Sequence, residues 1–331
     1  MTRLHSTATW LRSSSAALAL LVLAVVLLSP VRVIGDGPGT PVDPMPVAEA
    51  EDQPIGRAMT LLEVAVIAVV EGVTEFLPIS STGHILLVQR AMGIPQTDGA
   101  DAFAVVIQAG AILAVIGLYY QRSRQMAVGL LGRDADGLRL LVNILLAFLP
   151  FALIALLLYD HIKDSFGLWE SVWGWFVGGV VLLIVVWYRR GTGPHEGRSM
   201  DDLTWRMAIV IGAVQCAAMW PGTSRALAAI LGGLLVGMSV RAAVEFSFLL
   251  GVVTLLAAAG YDAYAQGHSI LAEYGVVHPL VGFALAALAA AAAVKWMVSY
   301  LERYSMAIFG YYRIAVALAV AALLLGGWMT E

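Results

Sequence analysis

Cysteine and charged residues are scarce in this sequence of 331 residues. The single cysteine, Cys216, excludes an internal disulfide, and no Cys/His spacing typical of a metal site occurs. Charged residues make up 13% of the chain, against about 25% in soluble proteins. The net charge of −4 is small, so the composition gives no reason to expect a nucleic-acid partner.

Hydrophobic residues are correspondingly abundant. They make up 60% of the chain, and the mean hydropathy is +0.84. Apolar runs recur that reach the length of about 20 residues that a helix needs to cross a bilayer. The composition therefore predicts an all-α polytopic membrane protein.

The N-terminal part differs in composition from the rest. In residues 1–34, Arg3 and Arg12 precede an apolar run, 16–28, which is typical of a signal-anchor or a signal peptide. No small-residue cleavage site follows that run directly, which favours the uncleaved anchor. Residues 35–57 are acidic and rich in Pro and Gly, which predicts a disordered linker. A membrane domain is expected over 58–331.

The apolar segments of that domain fall into two matching sets, at about 59–188 and 207–327. Each set opens with a broken segment, Met59–Met92 or Met207–Met238, whose halves are too short to span and are expected to be re-entrant half-helices. Three long spans follow in each set, at about 102–119, 140–158, 172–188, 242–260, 276–298 and 306–327. Because three crossings invert the second set, the pattern predicts an inverted repeat.

The distribution of arginine predicts the orientation. Two loops are rich in arginine and are expected in the cytoplasm. They hold Arg122, Arg124, Arg133 and Arg139 in one loop and Arg189, Arg190, Arg198 and Arg206 in the other. The acidic loops 159–171 and 261–275 hold one lysine between them and are expected outside. The first broken segment then opens from the outside and the second from the cytoplasm.

The first broken segment carries ionisable residues within apolar sequence. A charge at the bilayer centre costs roughly 2.5–3.5 kcal/mol, so such residues indicate a functional site. Glu71 and Glu75 are four residues apart and share one helix face. Pro78 ends the first half-helix. Ser80, Ser81 and Thr82 can then cap a second half-helix that carries His84 and whose free N–H groups favour an anion.

The second broken segment supplies the complementary charge. Pro221 and Gly222 predict a turn, Thr223 or Ser224 caps the next half-helix, and Arg225 lies in its first turn. A guanidinium there suits a phosphate group. If the two breaks meet, they assemble a polar site for an anionic phosphorus compound in an apolar setting.

Each of these residues also has a simpler interpretation. The serines and threonines can be helix caps alone, His84 a buried histidine with ordinary partners, and Arg225 an ion-pair partner of a glutamate. Glu71 with Glu75 can form the proton or cation site of a transporter. Glu245 and Arg313, within later spans, are best explained by a structural ion pair or an interfacial position.

Two motifs carry a family resemblance. The run from Glu71 to His84, EGVTEFLPISSTGH, and the run from Pro221 to Arg225, PGTSR, resemble those of the undecaprenyl-diphosphate phosphatase family of the bacitracin-resistance type. Supporting pieces are Val106–Gly110, Glu245–Leu250 and Tyr312–Arg313. The resemblance implies an integral enzyme of the bacterial cytoplasmic membrane. Such enzymes cleave the terminal phosphate of a polyprenyl diphosphate at the outer face and so recycle the lipid carrier for cell-wall synthesis.

The resemblance also implies roles for residues of this chain. Glu71 and Glu75 are the paired acids and metal ligands, Ser81 and His84 are catalytic, and Arg225 binds the diphosphate with a divalent cation, Mg²⁺ or Ca²⁺. Ser80, Thr82, Thr223 and Ser224 are expected to contact the substrate. We expect Ser81 to be the nucleophile with His84, one helical turn away, as its base. A directly attacking water is the alternative.

The second motif departs from the family pattern at Ala226 and Ala229, where Ser and Thr are usual. Each lost hydrogen bond weakens binding by about 1.5–3 kcal/mol if nothing replaces it. The departure leaves room for a weaker enzyme, a different prenyl diphosphate or a paralogue that only binds lipid phosphate. A transporter or lipid flippase is a separate alternative, because inverted repeats with broken helices are its architecture too. The oligomeric state is open, and a homodimer is one option.

Overall fold

The computed structural model of the protein describes residues 59–94, 98–163 and 167–329. The predicted N-terminal anchor and the linker lie outside the described residues. Within them the fold is all-helical, with a single isolated bridge between Arg198 and Met238 as the only β-type pairing. The helices are α1 Leu61–Thr74, α2 Ser81–Met92, α3 Asp98–Leu118, α4 Tyr120–Leu130, α5 Ala135–Lys163, α6 Leu168–Tyr188, α7 Trp205–Gln215, α8 Arg225–Leu235, α9 Val240–Tyr274, α10 Val277–Leu301 and α11 Ala307–Leu325.

Five of these helices are long and apolar enough to cross a membrane. Their spans are Ala135–Leu157, Leu168–Tyr188, Val240–Gly260, Val277–Leu301 and Ala307–Leu325. On α3, which covers the predicted span 102–119, the apolar stretch is the shorter Ile107–Leu118. The prediction of an all-α polytopic architecture is therefore confirmed at this level.

The first apolar segment is interrupted where the sequence predicts it. Helix α1 begins with a capping box, in which Thr60 and Glu63 satisfy each other's backbone N–H groups. The helix ends at Thr74, a turn region follows, and α2 begins at Ser81 after a serine with positive φ. The predicted cap is wrong in one detail, because the Ser80 side chain makes no capping hydrogen bond.

The second apolar segment is interrupted in a similar way. Helix α7 ends at Gln215, a 3₁₀ turn covers Cys216–Met219, and α8 begins at Arg225. The Ser224 hydroxyl accepts a hydrogen bond from the Leu227 N–H at 3.2 Å, so Ser224 is the cap and that prediction is confirmed. Ser80 and Ser224 adopt nearly the same backbone conformation, with φ of 73° and 75°.

Small residues let the helices around these breaks approach closely. Helix α10 packs on both α1 and α3. A Cβ atom added at Gly72 would lie 2.4 Å from the Ala286 carbonyl oxygen, and one at Gly110 would lie 2.2 Å from that of Phe283. Gly72 and Gly110 therefore allow the backbones of α1 and α3 to approach that of α10 closely.

A polar network lies at the end of α3 and the start of α4. Arg122 pairs with Glu245 on α9 and with Asp201, each at 3.2 Å. The expectation of a structural ion pair is thus confirmed for Glu245. The two partners of Arg122 come from segments that are distant from it in the sequence. This network therefore ties α9 to the connection between α6 and α7.

The contact between α3 and α10 gives a test of this packing. We expect Gly110→Ala to lower the free energy of unfolding by about 1–3 kcal/mol, the usual cost of overpacking, because the α10 backbone cannot yield as a side chain can. Gly117→Ala on the same helix is the matched control, since an added Cβ there meets nothing within 4 Å. Its stability should stay equal or rise by up to about 1 kcal/mol. Thermal unfolding in detergent measures both, and equal midpoints for the two variants would contradict the packing argument.

Candidate active site

The two interruptions meet at an ion pair. Nη2 of Arg225, at the start of α8, lies 2.6 Å from Oε1 of Glu75, just after α1. Glu75 is 7% exposed and the Arg225 side chain 13%. The expectation that the acidic first break and the basic second break come together is therefore confirmed.

Ser81 is joined to the same carboxylate. Its Oγ donates a short hydrogen bond to Oε2 of Glu75, so the two oxygens of Glu75 hold Arg225 and Ser81 separately. Glu75 thus fixes the serine hydroxyl beside the guanidinium. Because the carboxylate already accepts the Ser81 proton in a hydrogen bond, it is the basic group in direct contact with this hydroxyl.

Glu71 completes the acidic part of the site. It is 2% exposed and interacts with the carboxyl group of Glu75, the side chain of Gln108 and the charge of Arg225. Two carboxyl groups in direct contact repel each other when both are ionised, so the pair must hold a proton or a cation. Hard carboxylate oxygens are the ligands that Mg²⁺ and Ca²⁺ prefer. The donor set of Glu71 and Glu75 therefore fits the predicted divalent cation.

That donor set is small. In the described part of the chain, no group of three or more His, Cys, Asp or Glu residues is arranged to hold a metal. Mg²⁺ is usually bound by one or two carboxylates together with substrate phosphates and water. A cation at Glu71 and Glu75 would accordingly need phosphate oxygens to complete its coordination.

His84 lies in the same half-helix but forms other contacts. Its Nδ1 is 2.6 Å from the Ser80 carbonyl oxygen, and its Nε2 is 2.8 Å from the Tyr312 hydroxyl on α11. The predicted hydrogen bond between Ser81 and His84 is not formed, because both nitrogens of the imidazole are engaged elsewhere and Ser81 pairs with Glu75. In the sequence, Tyr312 is marked only by the supporting motif Tyr312–Arg313.

The Arg225 guanidinium retains bonding capacity. Its Nη1 is buried and has no hydrogen-bond partner, while Nη2 is used by Glu75. Room for the group is made by Gly251, where an added Cβ would lie 2.8 Å from Nη1. The centroid of the Phe76 ring lies 5.9 Å from Cζ of Arg225, in cation–π range. A buried donor without a partner is costly, so Nη1 is positioned for an anionic ligand.

The other predicted contact residues surround this core with different exposure. Ser80 and Ser224 are buried at the starts of α2 and α8, and Ser224 is occupied as a helix cap. Thr223 is half-buried in the turn that precedes α8. Thr82 is exposed in the first turn of α2. Ser80 contributes its backbone carbonyl, which accepts from His84, rather than a capping hydroxyl.

A residue on a distant helix joins the two breaks. Arg313 on α11 is fully buried and donates to the carbonyl oxygens of Pro78, Gly174 and Gly222 at 3.1, 2.7 and 2.8 Å. The expected ion pair or interfacial position is wrong for Arg313, because its hydrogen bonds all go to buried backbone carbonyls. The signal in the sequence was an arginine within an apolar span, which the rule for intramembrane charges assigns to function.

The fold and this site define an all-helical, multi-pass membrane protein with a buried carboxylate, serine and arginine cluster. The family model for the bacitracin resistance protein BacA matches residues 64–319, so the chain belongs to that family.

Curated relatives agree with this assignment. The undecaprenyl-diphosphatase of Sorangium cellulosum is 39% identical over 264 residues, which cover 79% of this chain and 86% of the relative. Undecaprenyl-diphosphatase 2 of Rhodospirillum rubrum is 40% identical, with 79% and 94% covered. The undecaprenyl-diphosphatase of Sulfurihydrogenibium is 38% identical, with 78% and 98% covered.

Arg313 gives a test of how the site is held together. A lysine at this position can reach one carbonyl but not all three, so we expect Arg313→Lys to lower the free energy of unfolding by about 2–6 kcal/mol, at about 1–3 kcal/mol for each carbonyl left unpaired. The matched control is Arg303→Lys, an exposed position at the end of α10. Thermal unfolding in detergent should separate the two variants clearly. An Arg313→Lys protein as stable as the control would show that the three hydrogen bonds are dispensable.

Proposed function

We propose that this chain is an undecaprenyl-diphosphatase, which hydrolyses undecaprenyl diphosphate to the monophosphate and inorganic phosphate. Relatives that share 38–40% identity over nearly their whole length carry this name. The observation in the chain itself that carries the proposal is the buried Arg225 Nη1, free beside a carboxylate that holds a serine hydroxyl. The reaction recycles the lipid carrier of cell-wall synthesis, and bacitracin resistance fits the family.

Ser81 is the proposed nucleophile. Its Oγ attacks the terminal phosphorus, the Oγ–P bond forms, and the P–O bond to the lipid monophosphate breaks. The Ser81 proton passes to Oε2 of Glu75, with which it is already hydrogen-bonded. Water then releases phosphate from the serine. The base for Ser81 in this scheme is Glu75, because of the two candidates it is Glu75 that contacts the hydroxyl. His84 keeps a proposed catalytic role as a second acid–base group, and direct attack by water is the alternative route.

Charge stabilisation is assigned to Arg225 and to the paired glutamates. Nη1 of Arg225 donates to a phosphate oxygen, while Glu75 keeps Nη2 in place. Glu71 and Glu75 are the proposed ligands of a Mg²⁺ or Ca²⁺ ion, which when bound would offset the negative charge of the diphosphate. Ser80, Thr82, Thr223 and Ser224 lie at the starts of α2 and α8, where the helix N-termini favour an anion.

The proposed architecture is an inverted repeat with re-entrant half-helix pairs α1–α2 and α7–α8. Three matched positions support it. Ser80 and Ser224 share an unusual backbone conformation, with φ of 73° and 75°. Pro78 and Gly222, each two residues earlier, both accept a hydrogen bond from Arg313 through their backbone carbonyls. Gln215 occupies the place in the second break that Glu71 has in the first.

The proposed location is the bacterial cytoplasmic membrane, with the site open to the outer face. Arginine-rich loops and the positive-inside rule support this orientation. A homodimer is a further proposal, which the mass of the purified protein in detergent would test. The transporter alternative loses support, because the relatives bear the name of a hydrolase. Ala226 and Ala229 are buried in α8, so the chain lacks two hydroxyls near the proposed phosphate site.

The function is tested by phosphate release from farnesyl and undecaprenyl diphosphate with purified protein. We expect release by the wild type. Arg225→Ala and Ser81→Ala should lose at least about 100-fold in kcat/KM, within the range reported for electrostatic and nucleophilic groups. Thr82→Ala, an exposed position, is expected to have a smaller effect. Retained activity of Ser81→Ala would favour direct attack by water, and absence of release by the wild type would refute the proposal.

The cation is tested separately. We expect EDTA to abolish phosphate release and Mg²⁺ or Ca²⁺ to restore it. In Glu71→Gln the cation concentration for half-maximal activity should rise at least about tenfold, since the variant loses one of two anionic ligands. Glu170→Gln, at the start of α6, serves as a control for loss of one acidic charge outside the proposed cation site. Full activity of the wild type in EDTA would rule out the metal role.

A further inference from the structure

Tyr312 makes a contact that the proposed chemistry does not use. Its hydroxyl lies 2.8 Å from Nε2 of His84, although the two residues are 228 positions apart in the sequence. The two ring planes are nearly parallel, with an angle of 9° between them and centroids 5.7 Å apart. Because the hydroxyl is only 2.8 Å from Nε2, the two rings lie side by side rather than face to face, and the tyrosine contacts the imidazole through its hydroxyl.

The partners of His84 determine where its proton lies. A carbonyl oxygen only accepts hydrogen bonds, so Nδ1, at 2.6 Å from the Ser80 carbonyl, carries the hydrogen. In the neutral imidazole Nε2 is then the acceptor, and the Tyr312 hydroxyl is its donor. The basic nitrogen of His84 consequently points to α11.

The surroundings hold the imidazole in this orientation. Trp175 on α6 meets the His84 ring edge-on at 5.1 Å, and its Nε1 donates to the Ile79 carbonyl oxygen at 2.8 Å. Gly83 leaves room for this indole, since an added Cβ would lie 2.4 Å from it. On the other side, Tyr312 is fixed by the neighbouring Arg313, which is anchored to both breaks.

The pair connects the buried site to the surface. His84 is 8% exposed, whereas Tyr312 is 42% exposed. The charged group that acts on the imidazole is Arg313 on α11, and its own hydrogen bonds go to backbone carbonyls. The Tyr312 hydroxyl is thus the polar group that links Nε2 of His84 to the outside of the helix bundle.

We propose that Tyr312 is a positioning residue for His84 and the group through which His84 exchanges a proton. Its hydroxyl gives a proton to Nε2 while taking one from a water molecule or a phosphate group, so the tyrosine ends unchanged and the imidazole gains the proton. The reverse transfer restores neutral His84. The proposal rests on the proposed phosphatase function for its role in turnover, but not for the contact itself.

The test uses Tyr312→Phe, which keeps the aromatic ring and removes the hydroxyl. We expect kcat for phosphate release to fall at least about tenfold, within the contribution of general acid–base groups, and KM to change less than about twofold. Tyr311→Phe, the exposed neighbouring position, is the matched control and should match the wild type. A Tyr312→Phe enzyme with unchanged kcat would overturn the proposal.

A second measurement does not depend on activity. In protein labelled with ¹⁵N-histidine, the Nε2 signal of His84, assigned by its loss in His84→Gln, should be that of an unprotonated nitrogen accepting a hydrogen bond. In Tyr312→Phe it should move towards the value of a free acceptor, while the unfolding midpoint stays near that of Tyr311→Phe. A wild-type Nε2 that accepts no hydrogen bond would overturn the proposal, even if the variant fails to fold. If the wild type shows this signal but releases no phosphate, the phosphatase function alone is refuted.

Discussion

The site depends on one buried guanidinium, that of Arg313, to which the proposed chemistry assigns no step. Arg313 holds the carbonyls of Pro78 and Gly222, one from each interruption, and that of Gly174 on α6 between them. Where a helix is broken inside an apolar protein, its carbonyls lose their intrahelical partners, and each unpaired carbonyl costs about 1–3 kcal/mol. A single planar group with several donors satisfies both broken ends at once. The distance between the two breaks is therefore fixed by the guanidinium.

Helices α6 and α11 form the support around this group. Gly178 makes room for the guanidinium, and a Cβ there would lie 2.2 Å from Nη2. Two indole N–H groups add hydrogen bonds between α6 and the breaks: Trp175 on α6 donates to the Ile79 carbonyl oxygen in the first break, and Trp220 in the second break donates to the Glu170 carbonyl oxygen on α6. These contacts all use backbone carbonyls, so the frame is set by backbone geometry. The reactive side chains can then differ between the two breaks.

That difference is what makes the site chemically useful. The first break contributes two carboxyl groups and a hydroxyl, and the second contributes a cation. A buried ion pair such as Glu75 with Arg225 is a poor source of stability, because desolvation offsets most of the attraction. Its retention, with one guanidinium nitrogen unsatisfied, is better explained by ligand binding than by folding. The two breaks, which carry different side chains, together place opposite charges around one small volume.

The sequence by itself determined the helical membrane architecture, the positions of both breaks and the residues of the acidic and basic motifs. Apolar length, prolines and intramembrane charges are local signals, and the energies behind them do not depend on distant partners. Only the tertiary structure decided the pairing of those residues. Glu75, not His84, contacts Ser81; His84 turns to Tyr312; and Arg313 joins the breaks. Hydrogen-bond partners separated by 150 residues or more depend on how helices pack, and a spacing of one helical turn does not reveal which of two nearby groups a hydroxyl will reach.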